Sequence, residues 1–274
     1  MSPSIARMPV IKRENQGLTP AQNSSEEEQR IEPVPKPGFP HEKYPRWIGH
    51  KFEPDGRILP FPGHTVICHL PRDTSLYQRL LGLYEELQKQ DFASCYILLP
   101  PTSWHMTVYE GVSDQIRRRN CWPGEVALDV SLEACTSFVT RKLGGFDPGS
   151  EPPFRLTITG WEPLEDGIAL KVVPATSMEE RRIRGLRDRL SELLRMRHPG
   201  HDTYSFHVSL AYMLRHLSPE QHHNISSFLD GYLSKFPRTF ELGAPEFCVF
   251  DDMFAFDRQF FLSKRGFRNG EGRL

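Results

Sequence analysis

Two short segments of the sequence carry a histidine followed two residues later by a hydroxyl side chain. His105 and Thr107 lie in the segment SWHMTVY. His207 and Ser209 lie in the segment SFHVSLAY. The ordinary pKa of imidazole is near neutrality, so a histidine can donate or accept a proton at pH 7. A neighbouring hydroxyl can donate a hydrogen bond to an anionic oxygen. Two such pairs facing one phosphorus atom would supply a base, an acid and two donors for its non-bridging oxygens.

Both segments have the alternating pattern of a half-buried β-strand. Strand side chains point in turn to opposite faces, so the apolar residues between the polar ones would pack on a core. The faces that carry Trp104 and Phe206 are predicted to be buried, and the histidine faces point the other way. Tyr109 shares the face of His105 and is a candidate substrate contact, by a hydrogen bond to phosphate or by stacking on a base.

The bare pattern His-x-Ser/Thr is a weak signal, and its context gives it weight. His201 and His216 also match it, but they lie in a turn and just before a helix cap. A single strand histidine is more often a structural residue bonded to a neighbour. Two matched histidines on matched strands favour a shared site instead.

The rest of the chain alternates strands and helices in two comparable halves, with one histidine strand in each, at about residues 104–109 and 204–212. Ser177 with Glu180, and Ser218 with Pro219 and Gln221, have the pattern of a helix capping box. His69, on an earlier predicted strand, is interpreted as a structural histidine. This order of strands and helices predicts an α+β fold that is bilobal, with two pseudo-symmetric lobes, an antiparallel sheet and helices in each, and an active-site cleft between them. We expect a single domain over residues 46–274, with lobes of roughly 46–150 and 151–274. Residues 1–45 are rich in proline, glutamate and serine and are predicted to be a disordered N-terminal arm, because they contain too few apolar side chains to offset the entropy of ordering.

The segments HMTV and HVSL resemble the paired H-x-T/S motifs of the two-histidine (2H) phosphoesterase superfamily. That superfamily includes RNA 2′,3′-cyclic phosphodiesterases, LigT-like RNA ligases and cyclic phosphodiesterases acting on ADP-ribose cyclic phosphate. The resemblance covers roughly residues 60–262. It implies a bilobal α+β fold with a pseudo-twofold cleft, a catalytic role for His105 and His207, and a substrate-binding role for Thr107 and Ser209.

The resemblance, together with the acid-base chemistry of the two motifs, implies a metal-independent phosphodiesterase that opens a 2′,3′-cyclic phosphate. The substrate would be a cyclic nucleotide or the cyclic phosphate at an RNA 3′-end, and no cofactor is expected. One alternative is an RNA end-processing or ligase-like enzyme of the same superfamily. Another is a non-catalytic RNA- or nucleotide-binding module, which the intact acid-base pair disfavours. A metal site at His198, His201 and His207, or at His222 and His223, lacks a carboxylate at a recognised ligand spacing.

Overall charge and cysteine content limit the class of partner. The formal net charge is −1, whereas a protein that grips duplex DNA through many phosphates is usually basic. The five cysteines form no CxxC pair, which is typical of reduced thiols in an intracellular protein. No apolar run is long enough for a membrane span. We therefore expect a soluble monomer of the cytoplasm or nucleus that binds neither duplex DNA nor a membrane.

Overall fold

The computed structural model of this chain describes residue 33 and residues 36–263. Most of the predicted N-terminal arm, residues 1–32, 34 and 35, lies outside the described residues. The last part of the predicted arm is described and contacts the domain: the rings of Phe39 and Tyr44 lie 5.6 Å apart and pack against an apolar cluster. None of the helices in the described part of the chain is long and apolar enough to cross a membrane.

The described residues form nine strands and four α-helices. The strands are β1 (Gly63–His69), β2 (Tyr96–Leu98), β3 (His105–Ser113), β4 (Phe154–Trp161), β5 (Gly167–Pro174), β6 (His207–Met213), β7 (Thr239–Leu242), β8 (Glu246–Phe250) and β9 (Asp257–Phe261). The helices are α1 (Ser75–Leu87), α2 (Leu132–Gly144), α3 (Ser177–Leu194) and α4 (Pro219–Leu233).

All nine strands belong to one antiparallel sheet. Its order is β7-β4-β5-β6-β3-β1-β8-β9, and β2 pairs with β6 off this path. Within the described residues, β3 and β6 are joined by the single pair Met106 and Val208. The sheet therefore has a His105 half (β1, β3, β8 and β9) and a His207 half (β2 and β4 to β7), and the two histidine strands meet at its centre. The predicted α+β class with two related parts is confirmed.

Each half of the sheet contains strands from both ends of the described chain. β8 and β9 come late in the sequence but pair onto β1 of the His105 half, and β2 comes early but pairs with β6 of the His207 half. The predicted lobe boundary near residue 150 stays a prediction. Because β2, β8 and β9 lie in the half of the sheet that their neighbours in sequence do not belong to, the two halves are linked by covalent crossings as well as by the single pair at the centre.

The helices begin where the local sequence can cap them. The Thr74 hydroxyl accepts a hydrogen bond from the Tyr77 amide at the start of α1, and Ser218 and Gln221 form the predicted capping box of α4. The cap of α3 is Thr176, one residue earlier than the Ser177 box that the sequence predicted. The helices bury their apolar stripes in the same core cluster as Met106 and Val208. This core holds one face of the histidine strands and leaves the other face for the histidines.

A smaller apolar cluster, which we call the second core, is separate from the main one. Phe256 and Tyr212 pack against it at its edge. Its buried members are Ile48, Phe52, Phe61, Leu99, Leu214, Phe250 and Met253. The second core thus anchors the loop between β8 and β9, which ends with Phe256.

Candidate active site

The central pair of the sheet determines which way the motif side chains point. Met106 on β3 pairs with Val208 on β6, and their side chains are 1% and 0% exposed in the main core. Since successive side chains of a strand alternate between faces, the residues on either side of Met106 and Val208 point to the opposite face of the sheet. His105 and His207, both half-buried, are therefore presented on one common face.

The same register places each histidine beside the hydroxyl of the other motif. Extending the antiparallel pairing by one residue in each direction sets His105 opposite Ser209 and sets Thr107 opposite His207. The two histidines are then diagonal neighbours, for which separations of about 7–8 Å are typical. The structure brings these four predicted site residues together on one surface patch.

Both imidazoles are held by the same device. His105 Nδ1 lies 2.6 Å from the Ser103 carbonyl oxygen, and His207 Nδ1 lies 2.9 Å from the Ser205 carbonyl oxygen. A carbonyl can only accept, so each Nδ1 donates the proton and each neutral ring keeps a lone pair on Nε2. No hydrogen bond among the described residues involves either Nε2. Each motif therefore orients one free nitrogen for proton transfer.

The two strands also share a pattern of burial and an irregularity. From His105 to Gly111 and from His207 to Met213, the residues run half-buried, buried, half-buried, buried, buried, half-buried and buried. In each strand the register with its outer neighbour shifts just after the hydroxyl residue, which leaves Val108 and Leu210 as extra residues. Each strand thus has a β-bulge at the same place, and after the histidine and the hydroxyl residue the next side chains no longer point to the histidine face.

The bulge at Val108 turns Tyr109 away from the histidine face. The Tyr109 side chain is 0% exposed, and its hydroxyl donates to the backbone carbonyl of Met196 in the main core. Strict alternation placed Tyr109 beside His105, and a sequence pattern gives no signal of an extra residue in one strand of a pair. Trp104 and Phe206 are buried as predicted, at 1% and 2% exposed.

His105 lies deep beside an aromatic ring. The Phe256 ring meets it edge-on, with ring centroids 4.3 Å apart. The pKa of His105 is lowered to about 4, chiefly by burial. The nearby His69 and His207 also lower this pKa, whereas the Ser103 carbonyl and Glu246 raise it. His105 is therefore neutral at pH 7 and can accept a proton.

His207 has a different set of neighbours. The Tyr204 ring lies 6.1 Å away and is tilted by 31°. Burial raises the pKa of Tyr204, so its hydroxyl stays protonated, and the side chain of Thr107 lies beside it and has a smaller, opposite effect on the pKa. On the outer side, the exposed Lys171 of β5 lies directly opposite His207. Thus His207 lies opposite a cation, whereas His105 faces a phenyl ring.

Two further polar residues lie beside His105 without having been predicted as site residues. His69 is the partner of His105 in the β1–β3 pairing, and its Nδ1 lies 2.9 Å from Glu246 Oε2. From the sequence, His69 reads as a structural histidine, and Glu246 stands outside any motif. Their proximity depends on β8 joining β1, which is a long-range pairing.

The residues best placed to hold a metal ion in the described part of the chain are His69, Glu246 and Cys248, whose ligand atoms lie within 4.8 Å of one another. The donor set fits a cation poorly. Arg258 already places a guanidinium nitrogen 3.3 Å from Glu246. Burial, and secondly the Glu246 charge, raise the pKa of the Cys248 thiol, whereas a metal needs the thiolate.

Comparison with known proteins supports the resemblance of the motifs. The sequence profile of the family called 2H-phosphodiest, described as a domain of unknown function (DUF1868), matches residues 51–166, which include the first motif. No curated protein matches the chain.

Three solved structures are similar to this chain. The conserved protein of unknown function ATU0111 from Agrobacterium tumefaciens str. C58 is 30% identical, with a TM-score of 0.74 over 80% of this chain and 94% of that one. TT0787 of Thermus thermophilus is 16% identical, with a TM-score of 0.40 over 74% of this chain and 98% of that one. LigT of E. coli in its apo form is 10% identical, with a TM-score of 0.38 over 70% of this chain and 88% of that one.

The resemblance that the sequence suggested is thus confirmed by a family profile, and a relative with 30% identity extends along most of the chain. From these matches, and from the paired histidine motifs, we conclude that the chain belongs to the two-histidine (2H) phosphodiesterase family and has a phosphoesterase-type function.

Proposed function

We propose that this protein opens a 2′,3′-cyclic phosphate, on a nucleotide or at an RNA 3′-end, without a metal ion. His105 and His207 are the catalytic residues, and Thr107 and Ser209 bind the phosphate. The observation that carries the proposal is the matched presentation of two imidazoles on one face, each with Nδ1 bonded to a backbone carbonyl and Nε2 free. A structural histidine has no need of a free nitrogen, whereas proton transfer requires one.

In this reaction His105 is the base. Its Nε2 accepts a proton from the attacking water while the water oxygen forms a bond to phosphorus. His105 suits this role because burial lowers its pKa to about 4, so the ring is neutral when the substrate arrives at pH 7.

His207 is the acid. The bond between phosphorus and one ring oxygen breaks, and that oxygen takes the proton from His207 Nε2 to become a hydroxyl. The product is a phosphomonoester, and the two histidines exchange protonation states. Each proton-transfer residue contributes about 10²–10⁴-fold to the rate.

The hydroxyls stabilise the charge on the non-bridging oxygens. Thr107 and Ser209 lie on the histidine face, each opposite the histidine of the other strand. Tyr204 lies beside the Thr107 side chain and limits the space in which that hydroxyl can rotate. Donors held in place in this way lower the barrier more than mobile ones, because they need no reorganisation as charge develops.

The test is a hydrolysis screen of the full chain with 2′,3′-cyclic mononucleotides, an oligonucleotide ending in a 2′,3′-cyclic phosphate, and ADP-ribose 1″,2″-cyclic phosphate. Each substrate is assayed with and without EDTA, and products are separated by chromatography. We expect turnover of at least one cyclic phosphate that is unchanged by EDTA. Binding of these compounds without turnover would favour the non-catalytic module, and loss of activity in EDTA with recovery on adding a divalent metal would reject the two-histidine mechanism.

A further inference from the structure

A third imidazole on the histidine face is held in the same way as the two motif histidines, but by a different acceptor. His69 Nδ1 is bonded to Glu246 Oε2 at 2.9 Å, and no hydrogen bond among the described residues involves its Nε2. His105 and His207 are instead held by backbone carbonyls. The side chain at position 69 is 23% exposed, so a ligand on this face can reach it.

The strand pairing brings His69 next to His105. The two residues are directly opposite each other in the antiparallel pairing of β1 with β3, so their side chains share one face. Their ring centroids lie 6.2 Å apart, at 71° to one another. At this separation, Nε2 of His69 can reach an oxygen of a phosphoryl group that lies next to His105, with a hydrogen bond about 2.8 Å long.

Glu246 is itself fixed in place. Its side chain is 6% exposed, and it also accepts the backbone amide of His69 at 3.4 Å and a guanidinium N–H of Arg258 at 3.3 Å. A carboxylate stabilises an imidazolium much more than a carbonyl does, because the pair gains Coulombic attraction as well as a hydrogen bond. Glu246 can therefore balance a positive charge on His69 when an anion binds beside Nε2, which a backbone carbonyl does not do.

We propose that His69 is a third phosphate-binding residue of this site and that Glu246 is the residue that positions and charges it. The inference rests on the proposed function, and it names a group outside both motifs. As an imidazolium, His69 donates from Nε2 to a non-bridging oxygen next to the oxygens bound by Thr107 and Ser209. Because the charge of the bound group increases from one in the cyclic diester to two in the phosphomonoester product, this cation retains the product more strongly than the substrate.

The charges around His69 determine how anion binding depends on pH. The groups that face it are His105 on β3, Glu246 and Cys248 on β8, and Arg258 on β9. His105 is neutral at pH 7, and the thiol stays neutral because burial raises its pKa. One carboxylate is thus shared by one guanidinium and His69. This set is neutral when His69 is neutral and carries one positive charge when it is protonated, so binding of an anion is coupled to uptake of a proton.

The experiment uses the full chain labelled with ¹⁵N-histidine and inorganic phosphate as the probe. Long-range ¹H–¹⁵N spectra report the protonation of each imidazole nitrogen. We expect phosphate to shift the resonances of His69, His105 and His207 together, with Nε2 of His69 becoming protonated. Calorimetry at one pH in buffers of different ionisation enthalpy should show proton uptake on phosphate binding that His69→Gln lacks.

Two variants separate the charge of the third histidine from its orientation. His69→Gln removes the cation, and we expect phosphate affinity to fall about 10-fold or more, as for loss of a charged hydrogen bond. Glu246→Gln keeps an acceptor for Nδ1 but removes the carboxylate, so proton uptake should fall while part of the affinity remains. His222→Gln, on the exposed surface of α4, is the matched control and should behave as the unaltered protein.

The outcomes distinguish this inference from the proposed function. If phosphate shifts His105 and His207 but leaves His69 unchanged, and His69→Gln binds phosphate normally, the third-histidine inference is overturned and the two-histidine mechanism stands. If phosphate protonates His69 but no cyclic phosphate is hydrolysed, the anion site is supported and the proposed function fails. The spectra of the unaltered protein decide the matter even where a variant does not fold.

Discussion

The two histidine strands are alike in backbone and unlike in surroundings. β3 and β6 share a burial order, a bulge after the hydroxyl residue, and a carbonyl two positions before the histidine that accepts from Nδ1. Their environments then diverge. His105 lies against Phe256 and next to a histidine bonded to a buried carboxylate, whereas His207 lies near a tyrosine and an exposed lysine.

A local sequence pattern can therefore present the same side chain twice, while the protonation of each copy depends on distant parts of the chain. The tautomer of each imidazole comes from a carbonyl two residues away. The lowered pKa of His105 comes chiefly from burial, to which Phe256 contributes by packing on the ring from a position more than a hundred residues later in the chain. The acid and the base of a symmetric pair can therefore be assigned by asymmetric packing.

Removing either imidazole should have the largest effect on kcat, and the effect should be similar for the two histidine strands. His105→Ala and His207→Ala are each expected to lower kcat by about 10²–10⁴-fold, because each removes one half of a proton-transfer pair. The double variant should lose little more than a single one, since the two groups act as a unit. Steady-state rates on a cyclic phosphate measure this, with His223→Ala on the surface of α4 as the control. Near-normal turnover in either single variant would refute the pairing.

Removing the hydroxyls should have a smaller effect and should begin to separate the halves. Thr107→Ala and Ser209→Ala are expected to lower kcat by about 10–10³-fold, because a donor to the developing charge is lost while acid and base remain. Tyr204→Phe should weaken the Thr107 contribution alone, since the Tyr204 hydroxyl lies beside that side chain. Thr239→Ala, exposed on β7, serves as the control in the same assay. Losses at Thr107 and Ser209 as large as those at the histidines would instead assign proton transfer to the hydroxyls.

The acid limb of the profile of kcat/KM against pH should show the effect of packing in the His105 half, which the His207 half does not share. A base must be neutral, so kcat/KM of the free enzyme should fall as the pH drops through about 4, the lowered pKa of His105. Phe256→Ala admits water to the ring and should raise this limb toward the ordinary histidine value of about 6.5.

Tyr204→Phe, in the other half, should leave the acid limb in place and provides the comparison for Phe256→Ala. Rates from pH 3.5 to 8, with folding followed by circular dichroism at each pH, measure the acid limb in the unaltered protein and in both variants. An acid limb near 6.5 in the unaltered protein would show that His105 is not the base.

The smallest expected effect concerns the charge on the open side of the site. Lys171 is exposed and directly opposite His207, so Lys171→Met should raise KM for an anionic substrate by about 2- to 5-fold, the range of an exposed ion pair. The effect should disappear at high salt because exposed charges are screened. Lys89→Met, on another surface, is the control. A fall in kcat that persists at high salt would place Lys171 in the chemical step instead.

Several features of the fold and site could be predicted from local sequence because they depend on local physics. The first histidine strand was predicted at residues 104–109 and is part of β3, and alternation correctly predicted the burial of Trp104 and Phe206. The cap of α4 was predicted from Ser218, Pro219 and Gln221, since a capping box satisfies amides within one turn.

The features that could not be predicted depend on pairing between distant segments. The position of Tyr109 follows from the bulge at Val108, which exists only relative to β1. The contact of His69 with Glu246 follows from β8 joining β1, a pairing between residues 177 positions apart. The packing of Phe256 on His105 depends on the second core, which no periodicity in the sequence indicates.

The sequence by itself determined the chemistry that is available here: two strands that each present one imidazole and one hydroxyl on the face opposite a core, because alternation is a property of any strand. The tertiary structure determines where these groups lie relative to one another and what surrounds each of them. The register of β3 against β6 placed the four side chains on one patch, and the packing of Phe256 and the β8 carboxylate gave the histidines different environments. Protonation depends on solvation and on nearby charge, and both are set by residues brought together only when the chain folds.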